Sequence, residues 1–207
     1  MINLQSENKI IFILLLFFST ACTKECLDVP KLDEYRKIVK EWTVYDTIGN
    51  QTISDNNGIR QTLIVSSIDS VSYDNTTEDD CGNTYGSFFF SIQYNTSLSP
   101  LNFMIDINTG SSLEEEFYLR LLITNTNNAA VEHKSTTYNF YTKKDIENNA
   151  TIKYIKQIDI SNKTYYGVLK FVFNNTFSSN DVKTLYFAKR YGVIKFIKSN
   201  GNSFELE

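Results

Sequence analysis

Apolar and polar residues alternate one by one through much of the chain. Between Phe88 and Asn95, Leu101 and Asn108, and Phe117 and Thr124, apolar side chains occupy every second position. This period gives a β-strand one apolar face and one more polar face. Further strands are predicted at Thr43–Thr47, Gln61–Val71, Thr136–Tyr141, Thr151–Ile160, Lys163–Phe173, Val182–Ala188, Gly192–Lys198 and Ser203–Leu206.

These short strands are separated by Asn, Asp, Ser and Gly, which is typical of antiparallel sheets. We expect an all-β fold, either an antiparallel β-sandwich or an open barrel of about ten or eleven short strands. No helices alternate with the strands, which excludes parallel α/β folds. Asn200-Gly201 predicts a tight turn before the last strand. The expected filled core includes Phe90, Ile105, Leu121 and Phe171.

One short N-terminal helix is predicted ahead of the strands. Between Pro30 and Trp42, apolar residues recur at steps of three and four, which is the spacing of a helix face. Pro30 suits the first turn of a helix. We expect this helix to pack on the sheet rather than to serve a partner, although its pattern fits both uses.

The chain begins with the pattern of an export signal. Lys9 precedes an apolar run from Ile10 to Phe18, and the small residues Ser19, Thr20 and Ala21 follow. The apolar run is about half the length of a spanning helix, so a cleaved signal peptide over residues 1–21 is the better interpretation.

The segment Ser19-Thr20-Ala21-Cys22 resembles the lipobox of bacterial lipoproteins. That resemblance implies cleavage before Cys22 and its acylation with fatty acids such as palmitate. Ser19 departs from the usual Leu, a departure that some low-GC Gram-negative bacteria tolerate. The expected organisation is a signal peptide over 1–21, an anchor and tether over 22–30, and one β-rich domain over 31–207. The expected location is the Gram-negative cell envelope, at the outer membrane, on its periplasmic or its surface face.

Two further cysteines remain after Cys22 is acylated. Cys26 and Cys81 form an even pair in an oxidising compartment, which favours one disulfide. Two free thiols are the alternative, because the sequence does not show that the residues meet. Their spacing does not fit a zinc site, and no histidine lies beside them.

The run from Leu185 to Phe196 resembles the closing hairpin of small lipoproteins of Gram-negative bacteria. There an aromatic strand, an Ala-Lys turn and a Gly-hydrophobic strand end the domain. Those proteins are mostly uncharacterised, and the resemblance implies an all-β extracytoplasmic domain without a catalytic residue.

Candidate chemistry is sparse along the chain. The single histidine, His133, lies in a polar stretch interpreted as a surface loop, and no nucleophile motif accompanies it. The carboxylates Asp79, Asp80 and Glu114–Glu116, and the oxygen-rich loop Asp74–Asp80, are interpreted as solvated rather than as hydrolase or calcium sites. Weak O-glycosylation motifs surround Thr47 and Ser70. We expect no catalytic residue, metal or cofactor.

The composition narrows the classes of function. The chain has 207 residues, 42% of them hydrophobic, which is enough to bury a core. A net charge of −4 lacks the positive footprint that nucleic-acid binding needs. The expected function is a non-enzymatic binding or structural module of the envelope, with the membrane and a glycan or an envelope protein as partners. The alternative is a carrier of lipid or another apolar ligand inside a curled sheet.

The lipobox resemblance predicts the outcome of one substitution. Cys22→Ala should block acylation, because the thiol that carries the lipid is gone, and should leave an uncut or soluble product. Fractionation of cells and intact-mass measurement check this result. A Cys22→Ala protein that has lost residues 1–21 and still fractionates with membranes would contradict the predicted anchor.

Overall fold

The computed structural model describes residues 37–38, 41–42, 48–72, 77–78, 84–85, 88–96, 101–109, 117–127, 130–140, 142–147, 149–175 and 178–207. Lys37, Ile38, Glu41 and Trp42 are helical. The rest of the predicted helix lies outside the described residues. The strands are β1 Gly49–Asp55, β2 Arg60–Ser72, β3 Thr77–Glu78, β4 Thr84–Tyr85, β5 Phe88–Thr96, β6 Leu101–Thr109, β7 Phe117–Asn127, β8 Ala130–Asn139, β9 Lys144–Asp145, β10 Ala150–Ile160, β11 Lys163–Phe173, β12 Val182–Ala188, β13 Gly192–Lys198 and β14 Ser203–Leu206.

The strands form an antiparallel, nearly closed barrel, which confirms the predicted fold class. Twelve strands lie in one sheet, in the order β10-β11-β12-β13-β14-β1-β2-β5-β6-β7-β8-β9, and β3 pairs with β4 separately. The first and last strands in the chain are neighbours, with Ile53 of β1 opposite Leu206 of β14. The sheet therefore closes on itself everywhere except between its two ends, β9 and β10.

The two ends of the sheet leave a gap between β10 and β8, because β9 is very short, and this gap follows from the number of strands. Eleven of the twelve strands have at least four residues, and β9 has two. Because each neighbour in an antiparallel sheet reverses direction, β9 leaves β8 and β10 running the same way. Within the described chain, no backbone hydrogen bond joins residues 151–160 to β8 or β9. We call this gap the seam.

Aromatic rings fill the middle of the barrel. Four strands separate Phe103 of β6 from Phe196 of β13 in the sheet, yet their ring centroids are 5.2 Å apart across the interior. Phe196 also stacks on Phe204 of β14 at 4.7 Å. Offset and tilted ring pairs of this kind bury large apolar areas. The residues predicted for the core, Phe90, Ile105, Leu121 and Phe171, are all buried.

Most predicted strands are confirmed, and the differences fall on polar stretches. β11, β12, β13 and β14 have the predicted bounds. The turn before β14 is also confirmed, since Gly201 has a φ of 86° and its N–H donates to the Lys198 carbonyl. The predicted strand Thr43–Thr47 lies outside the described residues, and the sequence pattern missed β1.

Two loop predictions were wrong. His133 lies in β8, where its backbone is paired with Thr124 of β7. Both faces of β8 carry polar residues, so no apolar alternation marked the strand. The loop predicted over Asp74–Asp80 contains β3, and Thr77 and Glu78 pair with β4. A two-residue strand is too short to produce a period.

The aromatic stack predicts a large loss of stability when its central ring is removed. Phe196→Ala should lower the free energy of unfolding by about 3–5 kcal/mol, because it opens a cavity between Phe103 and Phe204. The control Tyr166→Ala, at a side chain that is 62% exposed, should change it by no more than about 0.5 kcal/mol. Urea unfolding followed by fluorescence of Trp42, the single Trp, measures both. Equal effects of the two substitutions would contradict the filled barrel.

Candidate binding seam between β8 and β10

The helical residues close the seam at one end of the barrel. Trp42 is 3% exposed, and its ring stacks on Phe187 of β12 at 6.0 Å and lies 5.5 Å from Phe140, which follows β8. Lys189 contacts the same ring, with Nζ 5.4 Å from the centroid, and forms an ion pair with Glu41. Trp42 therefore packs between the end of β8, which borders the seam, and the end of β12, two strands beyond β10.

A buried ion pair closes the opposite end of the seam. Lys134 Nζ lies 2.8 Å from Asp181 Oδ2, and the two side chains are 9% and 2% exposed. Lys134 lies on β8, and Asp181 ends the loop before β12, where Ser178 donates to its carboxylate from N–H and hydroxyl. Nζ also lies 5.9 Å from the Phe173 ring centroid. Charges this deeply buried are tolerated only when paired, so each residue fixes the other.

The chain after β9 is held along the edge of β8 by one carboxylate. Glu147 accepts hydrogen bonds from the hydroxyls of Thr137 at 2.7 Å and Ser135 at 2.8 Å, and from the Asn149 amide at 3.2 Å. Partial burial raises the pKa of Glu147, but these donors and the Arg120 charge outweigh it, so the pKa lies below its usual value. The Ile146 N–H also donates to the Thr137 carbonyl.

Two tyrosines face each other between the closures. Tyr138 of β8 is 6% exposed, whereas Tyr154 of β10 is 51% exposed. Burial raises the pKa of Tyr138, and the nearby Tyr154 adds to the effect. Tyr154 is paired with Leu169 and belongs to the side of β10 that faces the interior, as does the half-buried Ile152. The inner wall of the barrel is thus reachable from solvent at Tyr154.

Three buried hydroxyls near the interior lack a hydrogen-bond partner among the described residues. They belong to Tyr94, Thr136 and Tyr165. Burial raises the pKa of Tyr94 strongly. Thr136 lies on β8 between Lys134 and Tyr138, and it is fully buried. An unmade hydrogen bond at such a group costs about 1–3 kcal/mol, so Thr136 marks a point where a polar ligand atom would be accepted.

Most residues that the sequence singled out lie in parts of the chain that the structure does not describe. Cys22, Cys26, Cys81, Asp79, Asp80, Glu114–Glu116 and Thr47 lie outside the described residues. Ser70 lies in β2. The described residues contain no group of three His, Cys, Asp or Glu side chains that could hold a metal ion. In the same part of the chain, no helix is long and apolar enough to cross a membrane.

Sequence reasoning missed the seam residues for a physical reason. Lys134, Thr136 and Tyr138 face inward, and Ser135 and Thr137 face the segment after β9. Since both sets are mostly polar, alternation did not show which set is buried. Comparison with known proteins finds no matching family model, no similar curated protein and no similar solved structure.

The buried ion pair predicts a non-additive pair of substitutions. Lys134→Met removes the cation beside the buried Asp181 carboxylate, so it should lower the free energy of unfolding by about 3–5 kcal/mol. Lys134→Met combined with Asp181→Asn removes both charges and should recover more than half of that loss. Urea unfolding of the two variants measures the coupling. A double variant less stable than the single one would show that the pair does not act as a unit.

Proposed function

We propose that this protein is a non-enzymatic binding module of the bacterial cell envelope, anchored through Cys22, that receives its partner along the seam. The exposure of Tyr154 carries the proposal. On the other full-length strands, the side chains facing the interior are mostly buried, as Phe90, Ile105 and Leu121 are. Tyr154 also faces the interior but is 51% exposed. An aromatic side chain held at an opening of a rigid wall is a typical binding anchor.

The occupant that fits the seam best is an extended segment of an envelope protein. Residues 151–160 of β10 have no strand partner on the seam side among the described residues. Only another polypeptide supplies backbone donors and acceptors at the spacing of a strand, which is how β-strand addition produces affinity. Ile152, Ile155 and Ile158 are half-buried along β10 and would be covered further by an added strand.

A carrier of an apolar ligand is the second candidate. The fully buried Thr136 hydroxyl without a partner favours it, because a ligand with one polar end would satisfy that group. The contact between Phe103 and Phe196 disfavours it, because these rings occupy the space that a large ligand would need. The structure therefore supports a binding module better than a carrier of an apolar ligand.

Photocrosslinking in cells that make this protein tests the seam. A photoreactive phenylalanine analogue replaces Tyr154 in one variant and Tyr166 in the control. Tyr166 is more exposed, at 62%, and lies on the neighbouring strand β11. We expect a protease-sensitive adduct of defined mass from position 154 and none from position 166.

The other outcomes are equally informative. Adducts of equal yield at both positions, or none at position 154, would remove the seam as the binding site. An adduct that glycosidases degrade would show that the partner in the seam is a glycan and not a polypeptide. An adduct of lipid mass would put the carrier first.

A further inference from the structure

One end of the barrel carries a cluster of exposed cations. Trp42 contacts Phe140 after β8 and Phe187 near the end of β12, so the helix, the turn after β8 and the β12–β13 turn share this end. The β10–β11 turn joins them, because Lys163 Nζ lies 4.4 Å from the Tyr191 ring centroid. The exposed cations at this end form what we call the basic rim: Lys37, Lys143, Lys144, Lys156, Lys163 and Arg190. Lys156 of β10 belongs to it because the preceding residue, Ile155, lies opposite Val168, which lies opposite Ala188 at the end of β12.

A bend in β11 brings the rim together. Gly167 has a φ of 63°, and a Cβ there would lie 2.7 Å from Lys189 Cδ, so a larger residue would clash. Beyond this bend the β10–β11 hairpin leans onto the β12–β13 turn, where Tyr165 and Tyr191 pack edge to face at 5.1 Å. The Ser161 hydroxyl donates to Glu205 of β14 at 2.6 Å. Lys163 therefore lies against Tyr191, the residue that follows Arg190.

The rim cations have no acidic partners among the described residues. Lys189 forms an ion pair with Glu41, but none of the six rim residues forms an ion pair with another described residue. Residues 150–207 carry nine Lys or Arg and four Asp or Glu, against eleven and twenty in residues 1–149. The part of the chain that forms β10 to β14 is therefore positively charged in a protein that is acidic as a whole, and it supplies three of the six rim cations, Lys156, Lys163 and Arg190.

The chain enters the barrel at this same end. Lys37 is the first described residue, and Cys22 precedes it by fifteen residues. A chain of that length reaches at most roughly 50 Å when extended. The predicted anchor and the basic rim therefore lie within reach of one membrane surface.

We propose that the basic rim docks on anionic lipid headgroups, so that the barrel lies against the membrane with the Trp42 end facing it. Each lysine near an anionic bilayer strengthens association about fivefold. This inference rests on the proposed anchor at Cys22 and is independent of the occupant of the seam.

Vesicle flotation of the chain from Thr23 onward tests the rim without the lipid anchor. We expect binding to vesicles of phosphatidylglycerol and phosphatidylcholine, weakening at high salt, and no binding to pure phosphatidylcholine. Lys144→Glu with Lys156→Glu should lower the partition coefficient at least roughly thirtyfold, because two lysines are lost. The control, Lys153→Glu with Lys183→Glu, changes the net charge equally at exposed positions outside the rim and should retain most of the binding.

Three results would overturn the proposal. The first is failure of the unaltered chain to bind anionic vesicles at low salt. The second is an equal loss of binding in the rim variant and its control, which would mean that only net charge matters. The third is binding to soluble dextran sulfate with no binding to vesicles, which would assign the rim to a soluble polyanion.

Discussion

The alternation of strand direction in an antiparallel sheet is the constraint on which this structure depends. A ring of antiparallel neighbours closes only with an even number of strands, and this barrel has eleven of full length. The two-residue β9 supplies the missing reversal but is too short to pair along β10. The seam is therefore a consequence of the sheet topology. It lies beside β10 because the short strand is β9, which ends the sheet next to β8.

Side-chain contacts close the two ends of the seam, where β8 and residues 151–160 of β10 share no backbone hydrogen bonds in the described chain. Trp42 packs between Phe140 and Phe187 at one end, and Lys134 pairs with Asp181 at the other. The two closures differ in their physics. The aromatic contact gains from apolar burial and is not screened by salt as a charge interaction is. The ion pair carries a large desolvation penalty and adds geometric constraint more than net stability.

In the described part of the chain, charged side chains in the interior of the barrel have partners of opposite charge or several hydrogen-bond donors, whereas those of the basic rim do not. Buried charges occur as pairs, and a partly buried carboxylate is held by several donors. Glu205, for example, is stabilised in its ionised form by Lys195 and Ser161; burial opposes this, yet its pKa lies below the usual value. The cations of the basic rim are exposed and have no such partners among the described residues. A surface cation without a partner costs little in water and remains available to an anionic surface.

The sequence by itself determined the fold class, most strand bounds and the core. Phe90, Ile105 and Leu121 alternate with polar residues, and burial of one strand face follows directly from that period. Local signals also fixed the turn at Gly201. Only the tertiary structure decided the seam, because Lys134 and Asp181 are distant in sequence and nothing local marks them as partners. The same holds for the rim, whose cations come from five separate stretches of chain and become neighbours only when the sheet curls.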